Sequence, residues 1–408
     1  MPSAYTSAPA SYSSATSSSR KKIAVKKVLL FGATGSIGQQ TLDIISRFRD
    51  RFTLLGISGK LRLDNLLDIA EKFRPPLIAL PDEESVSYLA KRLSYKPEFF
   101  VGDEGLARMA SEPSADVAVI AISGIKGLIP AYYALKNGKR VALANKESII
   151  GGGFLLLSTA QSSGGEIIPV DSEHSALFQL LQKVKSYSLR KVYLTASGGP
   201  FLDWDLRDLE KVTPELALKH PTWRMGEKIT VDSATLMNKG FEVIEASVLF
   251  NLPPEKIEVL IHPQSTIHAL VELIDGTFFA HLSKPDMRLP ILYALFYPER
   301  PNFDVADLSF SPSLTLNLFP PDFQKFPCLT LAYSALKLGH PYPLILEASD
   351  EVAVPAFLEG RIKFTDIPRV LEKTLNEFTI KYKPSTVDEI LVFHEEVKNF
   401  TEEMIKRL

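Results

Sequence analysis

A single cysteine, Cys328, stands in 408 residues. That excludes an internal disulfide and every cysteine-based zinc motif, and it fits a reducing compartment. Charge of one sign is lacking too. Lys and Arg number 46 against 48 Asp and Glu, a net charge of −2, which gives no reason to expect a nucleic-acid or membrane partner. No apolar run approaches the roughly 20 residues of a bilayer-spanning helix. The longest candidates, such as "VAVIAI" (117–122), have strand length. The opening residues, "MPSAYTSAPASYSSATSSSR", contain no acid and no apolar block. They cannot bury enough surface to order themselves, so residues 1–25 read as a disordered tail. Their hydroxyl-rich make-up also fits an organelle transit peptide, whereas the apolar centre of a secretory signal is missing. The expected location is the cytoplasm, or a plastid-type organelle if the tail is a transit peptide.

What remains is an ordinary globular composition, 45% hydrophobic and 23% charged. At roughly 150 residues per domain it provides for two or three domains. From Lys26 the pattern alternates. Strand-like "KVLLF" (27–31), "FTLLGIS" (52–58), "PLIAL" (76–80), "DVAVIAI" (116–122), "RVALA" (140–144) and "EIIPV" (166–170) are interleaved with amphipathic helices. Apolar strands separated by helices predict a doubly wound, Rossmann-like parallel sheet over residues 26–170. Residues 171–297 change character. "KVYLTASGGPF", "KIEVLIHPQSTIHALVEL" and "TFFAHL" read as strands, the last two around the turn "IDGT", which predicts an α+β catalytic domain. Residues 298–328, rich in Pro, Phe and Asp, read as a linker, and 329–408 as a small C-terminal α-helical domain.

Gly32, Gly35 and Gly38 lie between the first strand and the first helix. There, glycines let the backbone approach a pyrophosphate resting on the helix N-terminus. The second strand ends "ISGKLR" (57–62), with no acid to hold a ribose 2′-hydroxyl and with Lys60 and Arg62 to attract a 2′-phosphate. The cofactor expected from these residues is NADP(H). Asn145, Lys146 and Glu147 follow "RVALA", at the carboxyl end of a parallel strand, where ligands bind in such sheets.

Asp171, Ser172, Glu173 and His174 follow the strand "EIIPV". Two hard oxygen ligands with no cysteine suit magnesium or manganese, with cobalt as a third candidate. Alone, the stretch fits a helix N-cap at least as well, with Asp171 or Ser172 capping "EHSALFQLL". A second polar block, "HPTWRMGEKITVDSATLMNKGFEVIEA" (220–246), shifts the balance. Its Ser233, Asn238 and Lys239 form a set suited to phosphate oxygens, and Glu242, one helical turn after Lys239, offers a third carboxylate. "ASGGPF" (196–201) adds Ser197 and two glycines. Pro221, Trp223 and Met225 suggest the apolar part of a lid over about 197–227. His174 is placed to support a metal ligand. His262 and His268 read as core or surface residues, and Cys328 as a buried small residue. A regulator that binds NADP(H) without turnover would leave the carboxylates without purpose. A dehydrogenase with a cysteine nucleophile would need its Cys well before position 328.

Together "GATGSIGQQTLD", "LANKES", "PVDSEHSA", "ASGGPF", the 220–246 block, "IHPQSTIHALVE" and "PDMRLPI" resemble, in order, the signature stretches of the 1-deoxy-D-xylulose 5-phosphate reductoisomerases. The resemblance runs from about Lys26 to the C-terminus. It implies an NADPH- and divalent-metal-dependent rearrangement and reduction of a phosphorylated ketose, by a homodimer. Thr34, Gly35, Ser36 and Ile37 match the pyrophosphate loop, Gly59 and Lys60 the adenosine-ribose contacts, and Asn145, Glu147 and Gly226 further cofactor contacts. Asp171, Glu173 and Glu242 match the metal ligands. Lys146, Ser172, Ser197, His220, Ser233, Asn238 and Lys239 match the substrate contacts, with Lys146 and the three carboxylates as the catalytic set. Leu61 stands where many members carry Asn, which implies a lost polar contact to the cofactor. "EASDE" (347–351) replaces a run like "NAADE", outside the expected site.

Overall fold

The computed structural model describes residues 24–219, 226–305, 308–311 and 313–407. The expected tail lies outside these up to residue 23, as do His220, Pro221, Trp223 and Met225. Strand β1 (Lys26–Phe31) runs into the glycine turn and α1 (Ser36–Arg47) leaves it. β2 (Phe52–Ser58), α2 (Leu63–Phe73), β3 (Leu77–Leu80), α3 (Glu83–Ala90), β4 (Glu98–Val101) and α4 (Gly102–Ala110) complete one half of a sheet. β5 (Val117–Ile120), α5 (Leu128–Lys136), β6 (Arg140–Leu143), α6 (Lys146–Ser163) and β7 (Glu166–Pro169) build the other. All seven strands are parallel, in the order β4-β3-β2-β1-β5-β6-β7. The order reverses between β1 and β5, so the crevice at their carboxyl ends is where a ligand binds in such a sheet. Both faces are covered: Val28 and Leu30 of β1 pack into one apolar cluster and Leu29 and Phe31 into another.

The chain continues through α7 (Ser172–Leu181), β8 (Leu189–Ala196), α8 (Pro214–Ala217), α9 (Glu227–Ala234) and α10 (Met237–Phe250). β9 (Ile257–Ile261), β10 (Ile267–Leu273), β11 (Phe278–Leu282) and α11 (Arg288–Phe296) follow. The second sheet has the order β11-β10-β8-β9 and is mixed, since β8 and β9 pair in parallel. The stretch 256–273, expected as one strand, is two strands: Ser265 turns the chain with a φ of 49°. α7 and α10 pack on this sheet through Leu177, Val243 and Ala246. α11 returns to the parallel sheet, burying Ile291 and Leu295 against it.

Helices α12 (Pro327–Leu338), α13 (Tyr342–Leu358), α14 (Ile367–Glu377) and α15 (Val387–Ile405) close the chain. Their apolar faces are continuous with the sheet's second face, in one cluster from Leu29 and Ile120 to Leu344 and Phe393. Among the described residues no helix is long and apolar enough to cross a membrane.

Candidate active site

The glycine turn is shaped by lack of room. A Cβ on Gly32, whose φ is 92°, would stand 2.4 Å from the Ala121 carbonyl oxygen, and one on Gly38 would stand 2.3 Å from that of Gly32. Gly35 is different: its nearest neighbour would be 3.6 Å away, so packing does not require glycine there, whereas a close-lying ligand would. No side chain caps α1. Its first-turn N–H groups, beside Thr34, Gly35, Ser36 and Ile37, are left for solvent or an anion. At the end of β2, Gly59 lies over Leu66, Lys60 and Arg62 are exposed, and Leu61 is 87% exposed. The donor set, with its missing acid, fits NADPH.

Asn145 and Glu147 serve the same crevice from β6. Asn145 caps α6, its Oδ1 accepting from the Ser148 N–H at 2.8 Å. Its amide donates to the carbonyls of Ile122 and Gly124, both at 2.9 Å, and to Glu147 Oε2 at 2.7 Å. Glu147 Oε1 accepts from the Gly124 N–H at 3.1 Å. The pair thus clamps the loop after β5, and Asn145 is buried, not solvated at a helix start.

Lys146 opens α6 and reaches across to α10. The two helices come close because Gly153 has no side chain: a Cβ there would lie 2.5 Å from Val248. Lys146 Nζ stands 3.0 Å from Asp171 Oδ2, 2.6 Å from Asn238 Oδ1 and 3.2 Å from Glu242 Oε1. Asp171 occupies the N-cap position of α7 but caps nothing. Its carboxylate is turned to Lys146, so the plain capping alternative does not form. Glu173 Oε1 accepts from Lys239 Nζ at 2.8 Å, and Ser172 donates to Glu173 Oε2. Lys239 also pairs with Glu242, as their spacing on α10 predicts. One ligand oxygen each from Asp171, Glu173 and Glu242 lies within 4.8 Å of the others. Side-chain exposures of 15% and 17% leave Asp171 and Glu173 at an opening, with Glu242 buried beneath.

The charges explain this arrangement. Burial alone would lower Lys146, but Asp171, Glu242 and Glu245 outweigh it and hold the ammonium well above its usual value. Burial would raise Asp171, yet the charge of Lys146 and the His174 hydrogen bond bring it well below the carboxylate range. Glu242 ends raised, by burial and by the charges of Glu173 and Asp171, with Lys239 opposing. A buried carboxylate crowded by two others, in an all-oxygen set, fits a hard divalent cation.

His174 stands behind these ligands. Its Nε2 lies 2.9 Å from the Glu242 carbonyl oxygen, and its Nδ1 is 3.7 Å from Asp171 and 3.5 Å from Glu245. Burial opposes its proton, but Glu245 and Asp171 raise it to about 9. Burial pushes Glu245 up to about 7, with His174 opposing. Glu245 escaped the sequence reading, although it follows Glu242 by three residues on one helical face.

The residues matched to substrate contacts fall into two groups. Ser172, Asn238 and Lys239 join the carboxylates, where the ammonium neutralises Glu173 and Glu242. Ser197 and Ser233 sit on a neighbouring loop and helix. Ser197 accepts from the Gly199 N–H at 3.4 Å, and a Cβ on Gly199 would be 2.7 Å from the Ser233 carbonyl oxygen. Ser197 also lines a cavity of about 360 Å³ with Pro200, Trp204 and Lys219. Gly226 is the exposed N-cap of α9, and His220 lies outside the described residues. "EASDE" proves closer than its sequence position suggested. A Cβ on Gly124 would stand 2.7 Å from Glu351 Oε1, and Asp350 reaches Lys228 on α9. His262 and His268 are buried and hydrogen-bonded to Asn317 and Ser283 respectively, and Cys328 is buried.

Three family models match the chain: 1-deoxy-D-xylulose 5-phosphate reductoisomerase over residues 28–153, its C-terminal domain over 167–250, and a DXP reductoisomerase C-terminal domain over 282–400. A relative of that name from Thermodesulfovibrio yellowstonii is 46% identical over 367 residues, covering 90% of this chain and 96% of its own. One from Thermosynechococcus vestitus is 45% identical over 389 residues, 94% of each chain. Among solved structures, the reductoisomerase from Zymomonas mobilis in complex with NADPH has a TM-score of 0.87 at 37% identity, covering 94% of this chain and 100% of its own. A DOX-P reductoisomerase in complex with NADPH, fosmidomycin and magnesium has a TM-score of 0.89 at 38% identity, covering 94% and 98%.

Proposed function

The chain belongs to the 1-deoxy-D-xylulose 5-phosphate reductoisomerase family, and from that premise we propose which of its residues carry the reaction. The enzyme rearranges and reduces 1-deoxy-D-xylulose 5-phosphate to 2-C-methyl-D-erythritol 4-phosphate, on the non-mevalonate route to isoprenoid precursors, with NADPH and magnesium. The observation that carries the assignment is the convergence of the Asp171, Glu173 and Glu242 carboxylates at the carboxyl end of the parallel sheet. These three would hold the cation. When bound, the cation supplies Lewis-acid polarisation at the carbonyl end of the substrate, and NADPH supplies the hydride.

Lys146, kept charged by its acidic neighbours, donates a hydrogen bond to a substrate oxygen and balances the charge developing there. Ser172 orients Glu173 and faces the substrate. Ser197, His220, Ser233, Asn238 and Lys239 take the phosphate end, which fixes the reacting carbons before the nicotinamide. Thr34, Gly35, Ser36 and Ile37 receive the pyrophosphate, Gly59 and Lys60 the phosphorylated ribose. Asn145 and Glu147 shape the loop under the nicotinamide, and Gly226 borders it from α9.

Domain limits at residues 170, 297 and 328 and a homodimer complete the reading. β11 supports the dimer: it is an edge strand exposing Phe278, Phe279 and Leu282, a surface that pairing with a second copy would cover. Location in the cytoplasm or a plastid-type organelle is proposed with it.

The test follows NADPH oxidation by absorbance with 1-deoxy-D-xylulose 5-phosphate, after chelation and then with magnesium or manganese restored. Turnover that returns only with metal is the expected result. NADPH binding without turnover under either metal would refute the residue roles.

A further inference from the structure

Beyond the site, one charged contact ties the C-terminal helices to the helix that carries Ser233. Lys228, in the first turn of α9, places its ammonium between two carboxylates, 2.8 Å from Asp232 Oδ2 on its own helix and 2.5 Å from Asp350 Oδ2 on α13. It also stands 4.9 Å from the centre of the Phe241 ring on α10. Asp232 and Asp350 are buried, while Lys228 keeps 30% of its side chain in contact with solvent. Among the described residues no other cation pairs with either carboxylate.

Burial and the charge of Asp350 hold Asp232 well above the carboxylate range, so Lys228 faces chiefly the Asp350 charge. Such a buried pair stabilises a fold poorly, because desolvation cancels most of the Coulomb attraction. Apolar side chains would serve stability as well. Such a contact does fix geometry, and α9 needs fixing. The helix runs only from Glu227 to Ala234 and opens at Gly226 without a side-chain cap. A helix this short does not hold itself in water. Asp232 immediately precedes Ser233, and Phe241 immediately precedes Glu242. The ammonium of Lys228 therefore meets α9, α10 and α13 at one point, next to residues proposed for phosphate and metal.

We propose that Asp350 is a positioning residue: through Lys228 and Asp232 it fixes α9 so that Ser233 meets the phosphate of the substrate. The inference rests on the phosphate role proposed for Ser233. It assigns the C-terminal helices a part in substrate recognition, carried by Asp350.

The test compares kcat/KM for 1-deoxy-D-xylulose 5-phosphate and for the dephosphorylated ketose, with NADPH and magnesium present. Asp350→Asn removes the charge at constant shape. It should lower kcat/KM about tenfold for the phosphorylated ketose, chiefly through KM, and less than about twofold for the other. Lys228→Met should reproduce the effect and Lys228→Arg should restore most of it. NADPH affinity, to which Gly226 at the start of α9 contributes, should change less in each variant than kcat/KM for the phosphorylated ketose. A lower unfolding temperature with an unchanged ratio between the two ketoses would overturn the proposal, as would equal losses for both. If Asp350→Asn does not fold, Lys228→Met, at a partly exposed position, gives the same comparison. Wild-type enzyme that treated the two ketoses alike would remove the phosphate role of Ser233, and the brace with it.

Discussion

Asp171, Glu173 and Glu242 bring three ligand atoms within 4.8 Å of one another, and so do Glu347, Glu351 and His394. The two clusters behave differently because of what surrounds them. The first lies at the ends of β6 and β7, with Asp171 and Glu173 at an opening. It sets four acids, with Glu245, against three cations, Lys146, Lys239 and His174. The second joins α13 to α15. His394 Nε2 is 2.9 Å from Glu347 Oε2, and Lys398 Nζ is 3.1 Å from Glu351 Oε2. Glu395 also approaches Lys398, at 3.9 Å, so three acids meet two cations; Glu347 and His394 are buried, and Glu351 is partly exposed. Proximity alone would make both metal sites. What favours the first is its place at the carboxyl end of the parallel sheet, where ligands bind; the second is an ion-pair network between α13 and α15.

Five variants would break or sharpen this contrast. Glu242→Gln should reduce metal-dependent turnover about 10³-fold with little change in NADPH affinity, measured by metal titration and cofactor binding. Glu347→Gln should instead leave the metal requirement intact and cost about 3 kcal/mol of stability in urea unfolding. A Glu347 variant with an altered metal requirement would erase the distinction.

Acid should act oppositely on histidines near the two clusters. Burial lowers His268 to about 4, so between pH 6.5 and 4 the unfolded imidazole takes a proton that the folded one refuses. Stability is therefore full above pH 6.5 and falls below it, by about 2 kcal/mol at pH 5 for this residue. His268→Gln should flatten that decline in urea midpoints. His394 is raised: burial opposes its proton, but Glu347 outweighs it. Its contribution is present below pH 6.5 and lost as pH rises through the folded value, so the midpoint of His394→Gln should lose that alkaline dependence. Smallest is the effect of Lys60→Glu, about a tenfold weaker affinity for NADPH with NADH nearly unchanged, read by fluorescence titration.

The glycine turn, the apolar strands and the Lys239–Glu242 spacing were legible because each is local: a loop, a run, one turn of helix. β4 and α4 were not read as elements. "EFFV" is a short edge strand, and α4 carries two glycines. The turn at Ser265 was missed because no glycine marks it. Within the site, sequence suggested Lys146 without showing that it reaches Asn238 and Glu242 on α10, a contact created by packing between distant helices. The same applies to Asp350, whose partner lies more than a hundred residues away.

The parallel pairing of β8 with β9 has a kinetic consequence. Residues 197–256, which include α9 and α10, form the crossover between those neighbouring strands. Joining the strands must close that whole segment into a loop, a non-local and slow event. Ser233, Asn238, Lys239 and Glu242 lie within that segment and are organised only when it closes. In refolding, recovery of metal binding should trail the appearance of helical signal from the parallel sheet and its flanking helices.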